Sequence, residues 1–217
     1  MNNAIEAANS VLLAQRTLKL IQNVPKMKFD DREIIIDTIQ NYASITGLPA
    51  NILLHDRRSP LRDGLKIHRQ GTSQYIVLYN EDIVMPERLR FTLAHEIGHI
   101  FMGHTCDGDA EESEANAFAA QLLMPWFTVK MLHCNYFADA DNLSAMFGVS
   151  ITAADRRLRE VRNTNYVLTD ADKRIWDKQR RYAHDKSGNI CKSQYGRTSK
   201  GRGQHSCTVG CASEVCQ

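Results

Sequence analysis

The stretch from Pro86 to about Gly103 constrains this chain more than any other. Leu89, Leu93, Ala94, Ile97, Ile100 and Phe101 recur there at the three-and-four spacing of a helix that buries one stripe. Pro86 suits a first helical turn, and Glu87 behind it complements the positive end of the helix dipole. Set among these apolar residues are His95, Glu96 and His99. Histidines four positions apart project from one face, with ring nitrogens close enough to share a tetrahedral metal. A glutamate directly after the first histidine can reach water at that metal without ligating it. A core-facing helix with this set implies metal-dependent hydrolysis. Zinc would lower the pKa of water, and Glu96 would take the proton as a peptide carbonyl is attacked. Gly98 costs about 1 kcal/mol relative to alanine in an exposed helix, which points to a packing or access role for it.

Two histidines leave the site short of a ligand. His104 lies five residues on, and no further histidine and glycine follow at metzincin spacing. A helix expected from Ala110 to Pro125 offers Glu111, Glu112 and Glu114. At about 100° per residue, Glu111 and Glu112 lie nearer than Glu114 to the stripe of Ala115, Phe118, Ala119, Leu122 and Leu123. Periodicity leaves the first two open.

Elsewhere the first 22 residues read as an amphipathic helix through Ile5, Ala8, Val11, Leu12, Leu18 and Ile21. A second helix is predicted from Asp30 to Ser44, with Ile34, Ile35, Thr38, Ile39 and Tyr42 as its buried stripe, ending at Gly47-Leu48-Pro49. Asn51 to His55, Gly64 to Arg69 and Tyr75 to Tyr79 have strand character and predict a small antiparallel sheet. Asn142 to Phe147 and Ile151 to Val161 form a closing helical pair capped at Ser150 or Thr152; it has the outline of a helix-turn-helix and is read as structural. The expectation is an α+β, mainly helical fold: an N-terminal helix over 1–29, a main domain over 30–165 and a basic, cysteine-containing tail over 166–217.

Two runs carry a resemblance. Arg90-Phe91-Thr92-Leu93-Ala94-His95-Glu96-Ile97-Gly98-His99-Ile100 and Glu112-Ser113-Glu114-Ala115-Asn116-Ala117-Phe118-Ala119-Ala120-Gln121-Leu122-Leu123-Met124-Pro125 closely resemble both halves of the signature of the ImmA/IrrE family of metallopeptidases. Leu143 to Ser150, with Ala154, Arg157 and Leu158, looks like that family's closing helices, so the resemblance spans roughly Asp30 to Val161. It implies a zincin-like, gluzincin-type core with one catalytic zinc. It implies Glu112 as third ligand and Asn116, one turn later, as a group orienting a ligand. It also implies a substrate: a helix-turn-helix transcriptional repressor of a phage, mobile element or stress regulon, expected here as a separate protein. No oxyanion donor is selected; Tyr136 and His133 are both candidates. The rival reading is a metal-stabilised module that displaces a repressor, or binds DNA, without cutting.

Charge and cysteines bound the remainder. From Tyr166 onward ten Lys and Arg face five Asp and Glu, whereas the rest of the chain holds 17 against 20. The basic end could touch nucleic acid, although a solvated charged end is the commoner use of such a stretch. No apolar run approaches the roughly 20 residues needed to span a bilayer, and the N-terminus lacks the basic and apolar regions of an export signal. A cytoplasmic protein with reduced thiols is therefore expected. Cys106 and Cys134 read as small buried side chains. Cys191, Cys207, Cys211 and Cys216, near His205, offer four ligands for a second, structural zinc, but gaps of fifteen, three and four suit a loose end better than a zinc ribbon.

Overall fold

A computed structural model describes residues 2–14, 26–106, 108–134 and 139–187. In chain order the elements are α1 (Asn2–Ala14), β1 (Lys26–Phe29), β2 (Arg32–Thr38), α2 (Ile39–Thr46), α3 (Ala50–Leu54), β3 (Gly64–His68), β4 (Gln74–Tyr79), α4 (Pro86–Met102), α5 (Asp109–Leu123), α6 (Trp126–Cys134), α7 (Ala140–Phe147), α8 (Ile151–Asn163) and α9 (Asp170–Ser187). The fold is α+β and mainly helical, as expected.

The sheet runs β1-β2-β4-β3, so β2 and β4 are its centre. β3 and β4 form the expected antiparallel hairpin, with Leu65 opposite Leu78. The expectation of a purely antiparallel sheet does not hold, because β2 lies parallel to β4, with Ile35 opposite Ile76. β2 comes from the segment predicted as the Asp30 to Ser44 helix. Asp30, at φ 50°, turns the chain between β1 and β2, and helix begins only at Ile39, where Thr38 Oγ1 accepts from the Asn41 N–H at 3.0 Å. Ile34, Ile35 and Ile36 satisfy a helical stripe and a buried strand alike, and their β-branched side chains favour the pleated surface. A parallel partner needs a crossover, here provided by α2, α3 and β3.

A second correction concerns Asn51 to His55. Most of it is the short helix α3, entered from Pro49, whose carbonyl accepts from the Ile52 N–H at 3.0 Å. Five residues are too few for periodicity to separate helix from strand. Leu53 and Leu54 of α3 pack with Tyr42 against the smaller core cluster of Ile39, Ile76 and Leu78.

The opposite face of the sheet meets the main core, which joins Ile34 and Val77 to Leu93, Ala94, Ile97 and Ile100 of α4 and Phe118, Ala119 and Leu122 of α5. Ala4, Ala8, Val11 and Leu12 of α1 belong to the same core, as does Ile175 of α9. Gly98 is the contact that lets α4 and α5 approach closely: a Cβ there would lie 3.0 Å from Phe118 Cδ1 and 3.2 Å from the Ala115 carbonyl. α6 and α9 had no counterpart in the sequence reading. α7 and α8 are the expected closing pair, with Ser150 capping α8 through the Ala153 N–H. The N-terminal helix is described only to Ala14, so Leu18 and Ile21 lie outside the described residues, as do the tail cysteines Cys191, Cys207, Cys211 and Cys216. Among the described residues, no helix is long and apolar enough to cross a membrane. Cys106 is exposed rather than buried as expected, because it follows the end of α4 in a surface turn; its Sγ donates to Glu111 Oε1 at 3.5 Å.

Candidate metal centre

α4 enters the core with its apolar stripe and carries His95 and His99 on the adjoining face, one turn apart. Their Nε2 atoms lie 3.0 Å from each other. Glu112 reaches them from the first turn of α5, with Oε2 3.4 Å from His95 Nε2 and Oε1 3.5 Å from His99 Nε2. Zinc bonds of about 2.0–2.1 Å to N and O make the edges of a coordination tetrahedron roughly 3.3–3.4 Å long. The three separations fall around that length. The two imidazoles and one carboxylate are also a donor set that zinc accepts with a fourth position open. Among the described residues this is the group of three or more His, Cys, Asp or Glu side chains that could hold a metal ion.

The ring nitrogens facing away from this point are engaged as well. His95 Nδ1 lies 3.1 Å from Asn116 Oδ1. An amide oxygen only accepts, so Nδ1 carries the hydrogen and the Nε2 lone pair is directed to the centre. His99 Nδ1 instead faces His104 Nδ1 at 2.9 Å. Burial pushes the His99 pKa down to about 3, helped by the Lys66 ammonium and by His95 and His104. A neutral imidazole keeps one ring nitrogen with a free lone pair, so a metal can bind there without expelling a second ring proton.

Glu96 is buried at 8% exposure, next to His95 in the chain, and lines the same cleft as the three ligand side chains. Its surroundings depend on Gly64, where a Cβ would come within 2.6 Å of Thr92 Cγ2 and 3.2 Å of Glu96 Cγ. Glycine thus brings the start of β3 against the helix that bears the histidines. The cleft encloses about 1280 Å³, more than the roughly 300–1,000 Å³ of small-molecule pockets and roomy enough for an extended peptide segment. Its far wall is the loop before β3 and the strand's open face, from which Arg57, Arg62, Lys66 and His68 line it. Arg88, also in the lining, is held by Asp63 through two hydrogen bonds of 2.7 Å.

Of the residues singled out in the sequence, His95, Glu96, His99, Glu112 and Asn116 come together here. Glu111, the open alternative to Glu112, instead accepts from Cys106. His133 lies on α6 and does not line the cleft, and Tyr136 is outside the described residues, so neither oxyanion candidate is placed at the centre. The sequence reading missed Lys66, which a strand alternation of Gly64, Lys66 and His68 on one face could have exposed, and it gave no role to His104 or Glu114.

No curated protein matches the chain at a significant level. A protein-family model does: that of peptidase family M78, described as the IrrE N-terminal-like domain, aligns with residues 50–159, which hold α3 to α7, most of α8 and every residue of the centre. That is just over half of the 217 residues, and the chain belongs to this family of metallopeptidases.

Proposed function

We propose that the protein is a zinc-dependent endopeptidase in which His95, His99 and Glu112 hold the ion, Glu96 is the general base and Asn116 orients His95. The observation that carries this reading is the convergence of two histidine nitrogens and a carboxylate at tetrahedral-edge separations. When bound, zinc would supply the Lewis acidity that polarises a peptide carbonyl and acidifies water beside it. The chain's own residues do the remainder. Glu96, partly desolvated beside His95, takes the proton from the attacking water and returns it to the departing amine. The cleft wall formed by β3 and the preceding loop orients the substrate segment. Lys66, whose charge acts on His99, is better placed to steady negative charge at the centre than His133 on α6.

The substrate class rests on the family: a helix-turn-helix transcriptional repressor of a mobile element or stress regulon, cut by this chain acting in trans. The test is mass spectrometry of a repressor encoded beside the gene after incubation with wild-type protein and with Glu96→Gln. Shortened repressor with the first and intact repressor with the second is expected. Full cleavage by Glu96→Gln overturns the role of Glu96. Release of an uncut repressor from its operator by both proteins favours the non-proteolytic alternative.

A further inference from the structure

With both rings neutral and the Glu114 carboxylate ionised, one placement of protons satisfies the contact between His99 and His104. His99 Nδ1 and His104 Nδ1 face each other at 2.9 Å, and on its other side His104 Nε2 lies 3.1 Å from Glu114 Oε2. The His99 and His104 side chains are nearly inaccessible, at 3% and 7% exposure. An ionised carboxylate accepts and does not donate, so the hydrogen of a neutral His104 sits on Nε2 and leaves Nδ1 bare. That bare nitrogen accepts from His99 Nδ1–H. A neutral His99 has one ring hydrogen, so its Nε2 is a lone pair, and it points to His95 and Glu112. The reverse orientation would place a hydrogen on His99 Nε2, where a cation is to bind.

Backbone geometry holds the pair in place. Gly103 ends α4 in the left-handed region at φ 70°, its N–H donating to the carbonyls of His99 and Ile100, and the His104 N–H donates to the His99 carbonyl at 3.0 Å. This helix ending turns the chain back over its last turn. His104 therefore contacts residue 99 with both its backbone and its ring.

We propose that His104 and Glu114 are positioning residues for the metal centre: a carboxylate–imidazole–imidazole relay that fixes the tautomer of His99 and raises the basicity of its Nε2 toward the ion. The inference rests on the metal reading above and extends it to two residues outside the ligand set. His95 is oriented by the neutral amide of Asn116, whereas His99 is backed by a charged group through a second ring. Outer partners of metal-bound histidines commonly set affinity by about 10–100-fold.

The test combines ring-nitrogen NMR of the full chain, with and without zinc, and chelator-competition titrations with zinc for wild type, His104→Ala, His104→Gln and Glu114→Gln. The expected spectra show hydrogen on Nε2 of His104 and on Nδ1 of His99 before any metal is added. His104→Ala should weaken zinc binding by about 10–100-fold. His104→Gln, whose amide can accept from His99 and donate to Glu114, should recover most of that loss, and Glu114→Gln should fall between. A packing role alone would not discriminate the glutamine rescue or fix the tautomers. Hydrogen on Nδ1 of His104, or His104→Gln binding zinc no better than a folded His104→Ala, overturns the relay. If His104→Ala does not fold, the tautomers and Glu114→Gln decide: zinc affinity unchanged in Glu114→Gln is then the overturning result. Wild-type protein that takes up no zinc overturns the metal reading itself, which is separable because the tautomers are read in the metal-free chain.

Discussion

Two buried polar networks share helix α5, and they are finished in different ways. Toward one side, Gln121 Nε2 donates to Asn9 Oδ1 at 2.8 Å, Asn9 Nδ2 to Asp172 Oδ1 at 3.3 Å, and the Trp126 N–H to Gln121 Oε1 at 3.0 Å. Asp172, at 1% exposure, also accepts from Tyr166 at 3.2 Å and from the Thr169 N–H at 3.0 Å, while its own N–H donates to Thr169 Oγ1. Thr169 and Asp172 thus form a capping box at the start of α9. The donors run in one direction and end on a carboxylate. Toward the cleft, two histidine lone pairs and the Glu112 carboxylate meet at 3.0–3.5 Å, with the hydrogens of His95 and, by our assignment, His99 on the far side of each ring. Lone pairs and a carboxylate gathered at such distances repel unless a cation or a proton lies between them. The first network is closed within the chain; the second gathers three side chains that could hold a metal ion. The family match covers the cleft network entirely but leaves Asn9, Tyr166 and Asp172 outside, so α1 and α9 close the shared core with residues beyond the matched domain.

Substitutions can separate the two. Glu96→Gln carries the largest expected effect: turnover of a cleavable repressor should fall by about 10²–10⁴-fold while bound zinc, measured by atomic emission, remains at one per chain. His99→Ala should abolish tight zinc binding. Chelator should then lower the melting temperature of wild type by several degrees but leave this variant unmoved, because an ion at about 100 times its Kd stabilises by roughly 2.7 kcal/mol. Asp172→Ala should do the opposite, costing about 1–3 kcal/mol in urea unfolding by stranding buried donors of Asn9, Tyr166 and Thr169, with zinc affinity unchanged. If it weakened zinc binding as much as His99→Ala, the two networks would be one coupled unit. Gly98→Ala wedges α5 away from α4 and should cost about 1–3 kcal/mol and loosen zinc together, since Ala115 and Phe118 flank Asn116 and lie one to two turns beyond Glu112.

The smallest effect is on pH dependence, where the networks should weaken at opposite ends. His99 stays neutral in the fold down to about 3, whereas an unfolded histidine takes its proton near 6.5. Below 6.5 the unfolded chain binds more protons, so metal-free protein should lose stability progressively as pH falls from there toward 3. Tyr166 runs the other way: burial and Asp172 push it up to about 12, from 10.0. Its neutral form is favoured by the fold, and that contribution should fade as pH rises from 10 through 12. Urea titrations across pH, with and without His99→Gln and Tyr166→Phe, check both slopes.

What could be read in the sequence follows from the range of the interactions. α4 with its proline start and glycine end, the start of α5, the β3–β4 hairpin, the α7–α8 pair and the Ser150 cap of α8 are local matters, set within a turn or two, and they are found within two residues of the expected places. β2 was misread because Ile34 to Ile36 fit two periodicities, and the deciding partner, β4, lies about forty residues away. α9 passed unnoticed in a charged stretch whose anchor, Asp172, is met by Asn9 from the far end of the chain. His104 and Glu114 belong to the same class: neither has a motif spacing, and a left-handed glycine turn is what brings one ring to the other.

The residue types and spacings of His95, Glu96 and His99 determined by themselves that this chain presents two imidazoles on one helical face with a carboxylate beside them, because helix geometry is local and repeats. Glu112 was set apart from Glu111 by resemblance, and its position by the packing of α5 on α4, for which Gly98 leaves room. The tertiary structure alone decided what surrounds them: the cationic strand face opposite, the ring and carboxylate behind His99, and the closure of the core by α1 and α9. Those depend on contacts between residues far apart in the chain, where each side chain's role is assigned by what it meets.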